Sequence, residues 1–210
     1  MNERFFDLKK DRQDRIINGA LGVITENGYR HASTDEMVAA ASISKGLLFH
    51  YFKSKKGVYR FLYEYGTRYT LIELREPGRR AGCDYFEMQR LLMKADAAVL
   101  RKYPCLPLFL CRADEEAPGT DVEIPEDLFG AAAAYRKSLL EGSRRPPFLS
   151  ETDILAISRM LFYTRTGLMR DLLADRARAG EEEGEASVSL WKEYEERFSE
   201  YLQLIRRMYN

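Results

Sequence analysis

Three cysteines, two histidines and a single tryptophan are all that 210 residues contain of those types, and each scarcity excludes something. Cys83, Cys105 and Cys111 are odd in number and lack CxxC spacing, and only His31 and His50 accompany them, so neither a disulfide scaffold nor a Cys/His zinc site is expected. Nothing basic lies between Cys105 and Cys111 to lower a thiol pKa, which predicts buried structural thiols. Long apolar runs are missing too. The stretch from Cys105 to Cys111 is interrupted by Pro107 and falls far short of the roughly 18–20 residues of a membrane span. Met1 to Lys10 mixes charges without an apolar stretch, so no signal peptide is read and the cytoplasm is the expected compartment. GxSxG, the P-loop and HExxH are all absent, and no histidine follows His50. An enzyme is therefore not expected, nor a metal or cofactor.

Net charge is the last thing missing, with 33 Lys and Arg against 33 Asp and Glu. Hydrophobic residues at 45% and charged residues at 31% nevertheless describe a folded globular chain. The balance hides an asymmetry: 11 basic against 8 acidic residues up to Gly66, and 22 against 25 beyond it. Between His31 and Arg60, Lys45, Lys53, Lys55, Lys56 and Arg60 face only Asp35 and Glu36. For a phosphate partner it is this placement that matters, although such an excess alone also fits ordinary solvated surface.

Strand signals are nearly absent and the helical period recurs, which predicts an all-α fold. Leu8, Ile16, Ala20, Val23 and Ile24 share one face of a helix expected from about Phe5 to Asn27 and closed by Gly28. Ser33-Thr34-Asp35-Glu36 reads as a capping box, with the Ser33 hydroxyl accepting from the Glu36 amide, and opens a short second helix. Ser42-Ile43-Ser44 interrupts it, and Ser44 caps a third helix to about Tyr51. The pair is a helix-turn-helix candidate. Ser54 caps a fourth helix through Val58, Leu62, Tyr65, Tyr69 and Ile72, ending before Pro77-Gly78. Further helices are expected near Asp84–Lys102, Pro104–Glu115, Pro125–Glu141, Ser150–Asp175 and Ala186–Tyr209, with a break from Gly180 to Gly184. The expected division is 1–53, a linking helix at 54–76, and 77–210.

In the third helix, Leu48 and Phe52, with Ile43 in the turn, supply an inward face and leave Lys45, Gly46, Leu47, Phe49 and His50 turned partly or wholly outward. That is an odd solvent surface and a sensible major-groove surface. Lys45 and His50 can reach phosphates or base edges, Gly46 permits close backbone approach, and Leu47 can touch a thymine methyl. Free amides at the helix N-termini beside Ser33, Ser44 and Ser54 suit phosphate oxygens. Tyr51 fits a core position as well as it fits the surface, and His31 reads as a loop residue.

The stretch Ser33-Thr34-Asp35-Glu36-Met37-Val38-Ala39-Ala40-Ala41-Ser42-Ile43-Ser44-Lys45-Gly46-Leu47-Leu48-Phe49-His50-Tyr51-Phe52, followed by Lys53-Ser54-Lys55, resembles the DNA-binding segment of the TetR family of bacterial transcriptional regulators. The likeness extends from about Arg12 through Tyr65. It implies an N-terminal three-helix helix-turn-helix domain and a C-terminal helical domain for ligand binding and dimerisation, in a cytoplasmic homodimer. By the same resemblance, Ser33, Lys45, Phe49, His50 and Lys55 occupy backbone-contact positions, and Gly46 and Leu47 lie near the bases. Lys55→Ala is then expected to weaken specific and random duplex about equally. Three positions depart from the family pattern: Ser42 for glycine, Val38 for alanine and Phe49 for tyrosine.

Two stripes mark the C-terminal part, one including Ile157, Leu161 and Leu168, the other Trp191, Phe198, Leu202 and Ile205. Such stripes suit a core, and the resemblance makes them the expected dimer interface. Phe86, Met93, Tyr103, Phe109, Met160, Tyr163 and Met169 are nominated as pocket walls, with Arg112 or Arg165 for an anionic group and Asp114 or Glu115 for a cation. The function implied is that of a repressor released from palindromic operator DNA by a small-molecule effector, helix four acting as the lever. The alternative is a DNA-bound protein-interaction factor with no small-molecule ligand.

Overall fold

The helical period is realised throughout: in the computed structural model, which describes residues 3–116, 119–179 and 183–209, ten α-helices form and no strand occurs among those residues. A short 3-10 turn at Glu3–Phe5 precedes α1 (Lys10–His31). The first helix begins later than its apolar period suggests because Phe5 folds back into the core, and the Gln13 amide braces the turn by donating to the carbonyls of Phe6 (3.0 Å) and Leu8 (2.8 Å). Gly28 interrupts the regular geometry of α1 at φ 74°, a conformation that favours glycine.

The next elements are α2 (Thr34–Ala40), α3 (Lys45–Phe52), α4 (Lys55–Glu73) and α5 (Arg75–Arg79). Helix α4 ends at Glu73, before Pro77-Gly78 as expected, and that pair sits inside the separate single turn of α5, where early helical positions tolerate a missing N–H. There follow α6 (Tyr85–Lys102), α7 (Leu106–Glu116), α8 (Ala131–Glu141), α9 (Glu151–Ala179) and α10 (Glu183–Met208). Helix α8 starts after Gly130, which is held at φ 64°, and not at Pro125. Of the expected break from Gly180 to Gly184, residues 180–182 lie outside the described residues.

Two compact units result, and their limits differ from the expected cuts at 53 and 76. One comprises Met1–Tyr69 with Lys102–Ala131, the other Thr70–Arg101 with Ala132–Asn210. The first unit gathers α7 onto α1: the Arg112 guanidinium donates to the carbonyls of Thr25 (2.9 Å) and Glu26 (3.2 Å), while Glu116 accepts from the Tyr29 amide (3.2 Å). Its core joins Ile16, Ile17, Leu21 and Ile24 to Met37 and Leu48. Phe5 caps that core, with its ring 5.6 Å from Tyr51, 5.2 Å from Phe52 and 5.1 Å from Phe61. Tyr51 is thereby a core aromatic.

The second unit has its own core around Leu74, Met88, Leu92, Ala95 and Leu139. The stripes nominated for a dimer interface turn inward in the single chain. Ile157, Leu161 and Leu168 of α9 and Phe198, Leu202 and Ile205 of α10 are buried within the single chain, and Trp191 is half-buried with its ring under the Arg101 guanidinium at 5.7 Å. An apolar stripe must be covered by something, and in these helices the chain itself covers it. What remains outside is a second set: Leu155, Met160, Phe162 and Tyr163 of α9, and Tyr201, Leu204 and Met208 of α10.

Candidate nucleic-acid interface

Serines open the three helices of interest. Ser44 Oγ accepts from the Leu47 amide at 3.2 Å and Ser54 Oγ from the Gly57 amide at 3.0 Å, as the sequence suggests. Ser33 differs by one residue. Its Oγ accepts from the Asp35 amide at 3.1 Å, and the Glu36 carboxylate takes the Asn27 side-chain amide at 3.4 Å, so the expected capping box does not close. The turn between α2 and α3 holds Ser42 at φ 50°. A left-handed conformation costs a non-glycine residue roughly 1–2 kcal/mol, so the substitution of serine for the usual glycine is strained.

Close packing fixes the angle of the motif. A Cβ on Gly19 of α1 would stand 2.7 Å from the Ala41 nitrogen, and one on Gly57 of α4 would stand 1.9 Å from the Phe52 carbonyl oxygen. With Met37, Ala41, Leu48 and Phe52 turned inward, Ser44, Lys45, Gly46 and His50 are exposed, and Ser33, Leu47 and Phe49 are half-buried. Nothing lies within 4 Å of the place a Gly46 Cβ would take. The residues nominated on α3 therefore share one accessible face.

The cations of this region are more neutralised than their sequence spacing shows. Lys45 Nζ lies 2.8 Å from Asp35 Oδ1 and 2.9 Å from Oδ2, Lys56 pairs with Asp121 at 3.8 Å, and Arg60 pairs with Glu64 at 2.7 Å. Exposed pairs contribute at most about 1 kcal/mol, so a phosphate can displace Asp35 from Lys45.

Lys55 is half-buried and structurally engaged: its Nζ donates to the carbonyls of Arg30 and Ala32, both at 3.0 Å, and lies 5.0 Å from the Tyr29 ring centroid. A lysine has three donors, so one remains for phosphate. Lys55→Ala is expected to lower the unfolding free energy by about 1–2 kcal/mol in urea titration, because it removes two charge-assisted bonds at the end of α1. An unchanged urea midpoint would assign Lys55 to the surface alone.

In the second unit, a cavity of 60 Å³ lies among Met93, Asp96, Arg136, Leu161, Phe162 and Arg165. Asp96 is only 3% exposed. It accepts from the Arg136 guanidinium, from Arg165 Nη1 at 3.4 Å and from the Tyr194 hydroxyl at 3.1 Å. Burial, and then the adjacent carboxylate, push the Tyr194 phenol well above its usual range, so it remains a donor.

Of the nominated pocket residues, Met93 and Arg165 meet in this cavity, while Phe86 and Met169 are buried in the same unit away from its lining. Met160 and Tyr163 point outward, 51% and 63% exposed. Three nominations belong to the first unit: Tyr103 donates to Asp14 at 2.6 Å, Phe109 packs edge-on against Tyr59 at 5.5 Å, and Arg112 holds the α1 carbonyls. None of the three is among the residues that line the cavity. Asp114 accepts from the Tyr63 hydroxyl, so its carboxylate already has a partner. Asp96 and Arg136 were missed, although a carboxylate between Met93 and Leu100 on the buried face of α6 is itself a signal.

No group of metal-ligating side chains occurs among the described residues, and no helix among them is long and apolar enough to cross a membrane. Residues 16–60 match the family model for bacterial regulatory proteins, tetR family. No curated protein sequence gives a significant match. Over its whole length the chain is similar in fold to a TetR family transcriptional regulator from Chloroflexus aurantiacus, at 22% identity and a TM-score of 0.57, with 98% of this chain and 96% of that one covered. A TetR-like transcriptional regulator from Rhodococcus sp. RHA1 aligns at 20% identity over 90% of this chain and 96% of that one, with a TM-score of 0.49.

Proposed function

We propose that this chain, whose residues 16–60 match the family model for bacterial regulatory proteins, tetR family, is a dimeric DNA-binding repressor of that kind, released from a palindromic operator when a small molecule binds the second unit. One observation carries the DNA-reading part: an accessible face of α3 that combines Lys45, Gly46, Leu47 and His50, with capped N-termini of α2, α3 and α4 nearby in sequence. Such a face suits a major groove, with Lys45 for phosphate and Leu47 for a thymine methyl.

A helix-turn-helix reads two half-sites one helical turn apart, which calls for a two-fold partner. The exposed Leu155, Tyr163, Leu204 and Met208 supply an apolar surface on the last two helices for a second copy of the chain. Release then requires only that the effector favour one of two conformations, α4 passing the displacement along, with a coupling of about 1–3 kcal/mol. By reciprocity, operator DNA weakens effector binding by the same factor.

Lys45→Ala tests the reading. Each subunit then neutralises one phosphate fewer and each dimer two fewer, so the slope of log K against log salt should become shallower by roughly 1.8. An unchanged slope in fluorescence-anisotropy titrations would remove Lys45 from the DNA surface. The small volume of the cavity, 60 Å³ against roughly 300–1,000 Å³ for an ordinary ligand pocket, favours a second reading, a DNA-bound protein-interaction factor without an effector.

A further inference from the structure

We propose that the cavity of the second unit takes the carboxylate of a small organic acid with an apolar body, an inference that rests on the effector-responsive reading above. Three charged residues line the cavity, Asp96, Arg136 and Arg165, so its wall carries two cations against one anion. All three are largely withdrawn from water, with side chains 4%, 16% and 12% exposed. In that setting the electrostatic preference is for one more negative charge, and an ammonium group meets a repulsive wall. Guanidinium groups match a carboxylate geometrically as well as in charge, since their planar forks can donate two parallel bonds.

The remaining lining is mostly apolar, with Leu92, Leu161 and Phe198, Met93 able to change rotamer and Phe162, 46% exposed, marking where the cavity reaches the surface; its two neutral polar residues, Gln89 and Ser158, are both hydrogen-bonded to the Tyr85 hydroxyl. At 60 Å³ the space admits a carboxylate-sized group, and a longer body enters as Phe162 and Met93 move aside. Tyr194 fixes the other oxygen of Asp96, at 3.1 Å, so Asp96 stays aimed at the two arginines. The arrangement is a pre-set anion site with one internal anion already in place.

The test is a melt of the full chain at constant ionic strength with three probes of equal length: hexanoate, 1-hexanol and hexylammonium. Hexanoate is expected to raise the melting temperature by several degrees at up to about 10 mM, and the other two are not. In the wild type, a rise with 1-hexanol or hexylammonium equal to that with hexanoate overturns the proposal, as does no rise with hexanoate. Arg165→Gln is expected to weaken hexanoate at least about tenfold by calorimetric titration. Asp96→Asn removes the internal anion and is expected to tighten hexanoate several-fold, which a purely structural cluster would not do. Unchanged affinity in both variants places the carboxylate elsewhere and overturns the assignment. These measurements use no DNA, so their outcome is independent of whether the chain reads an operator.

Discussion

Gly57→Ala is expected to lower the unfolding free energy by about 3 kcal/mol or more and to remove DNA binding with it. The added Cβ would stand 1.9 Å from the Phe52 carbonyl oxygen, which already accepts from the Ser54 amide at 2.8 Å. Backbone that closes α3 cannot yield as the end of a flexible side chain can, so α3 must tilt away from α4. For a unit of this size each kcal/mol shifts melting by roughly 4–8 °C, and calorimetry should find a fall of more than about 10 °C. Gly46→Ala is the counterpart. Its Cβ meets nothing within 4 Å, so helix propensity alone should stabilise α3 by up to about 1 kcal/mol, while the methyl obstructs the groove and weakens specific binding. A Gly57→Ala protein that melts with the wild type would contradict this account of how the motif is held.

The second large effect separates the core of the C-terminal helices from their outer face. Phe198 is 2% exposed and stacks on Tyr194 at 5.6 Å, so Phe198→Ala is expected to cost about 3–5 kcal/mol. If the chain dimerises as proposed, loss of the dimer in that variant would follow from loss of fold. Leu204→Glu combined with Tyr163→Glu touches only exposed positions and should give folded monomers by light scattering, with the melting of the monomer unit retained. A double variant that remains dimeric at tens of micromolar would place the two-fold contact on another surface.

Local chemistry explains what could be read before folding. Ser44, Ser54 and Gly28 act within a turn of themselves, so their caps and breaks follow from spacing, and Ser33 misses by a single residue because Asn27 attracts Glu36. The outward face of α3 was legible for the same reason, since Leu48 and Phe52 fix which side is inside. Long-range partnership was not legible. Arg112 and Thr25 are 87 residues apart in the chain, and nothing in the amphipathic pattern of α7 says that α1 will cover it. The stripes on α9 and α10 show the same limit: periodicity reveals an apolar face without revealing whether the chain's own core or a second copy covers it. Asp96, Arg136 and Arg165 come from three different helices, so the cluster exists only after folding.

Selection of bound duplexes from a random-sequence library by the full chain, followed by sequencing, tests the central claim most directly. A dimer that reads DNA through α3 predicts enrichment of a two-fold symmetric site whose half-sites lie about 34 Å, one helical turn, apart. Recovery of duplexes with no common sequence, or of a single asymmetric half-site, would contradict it.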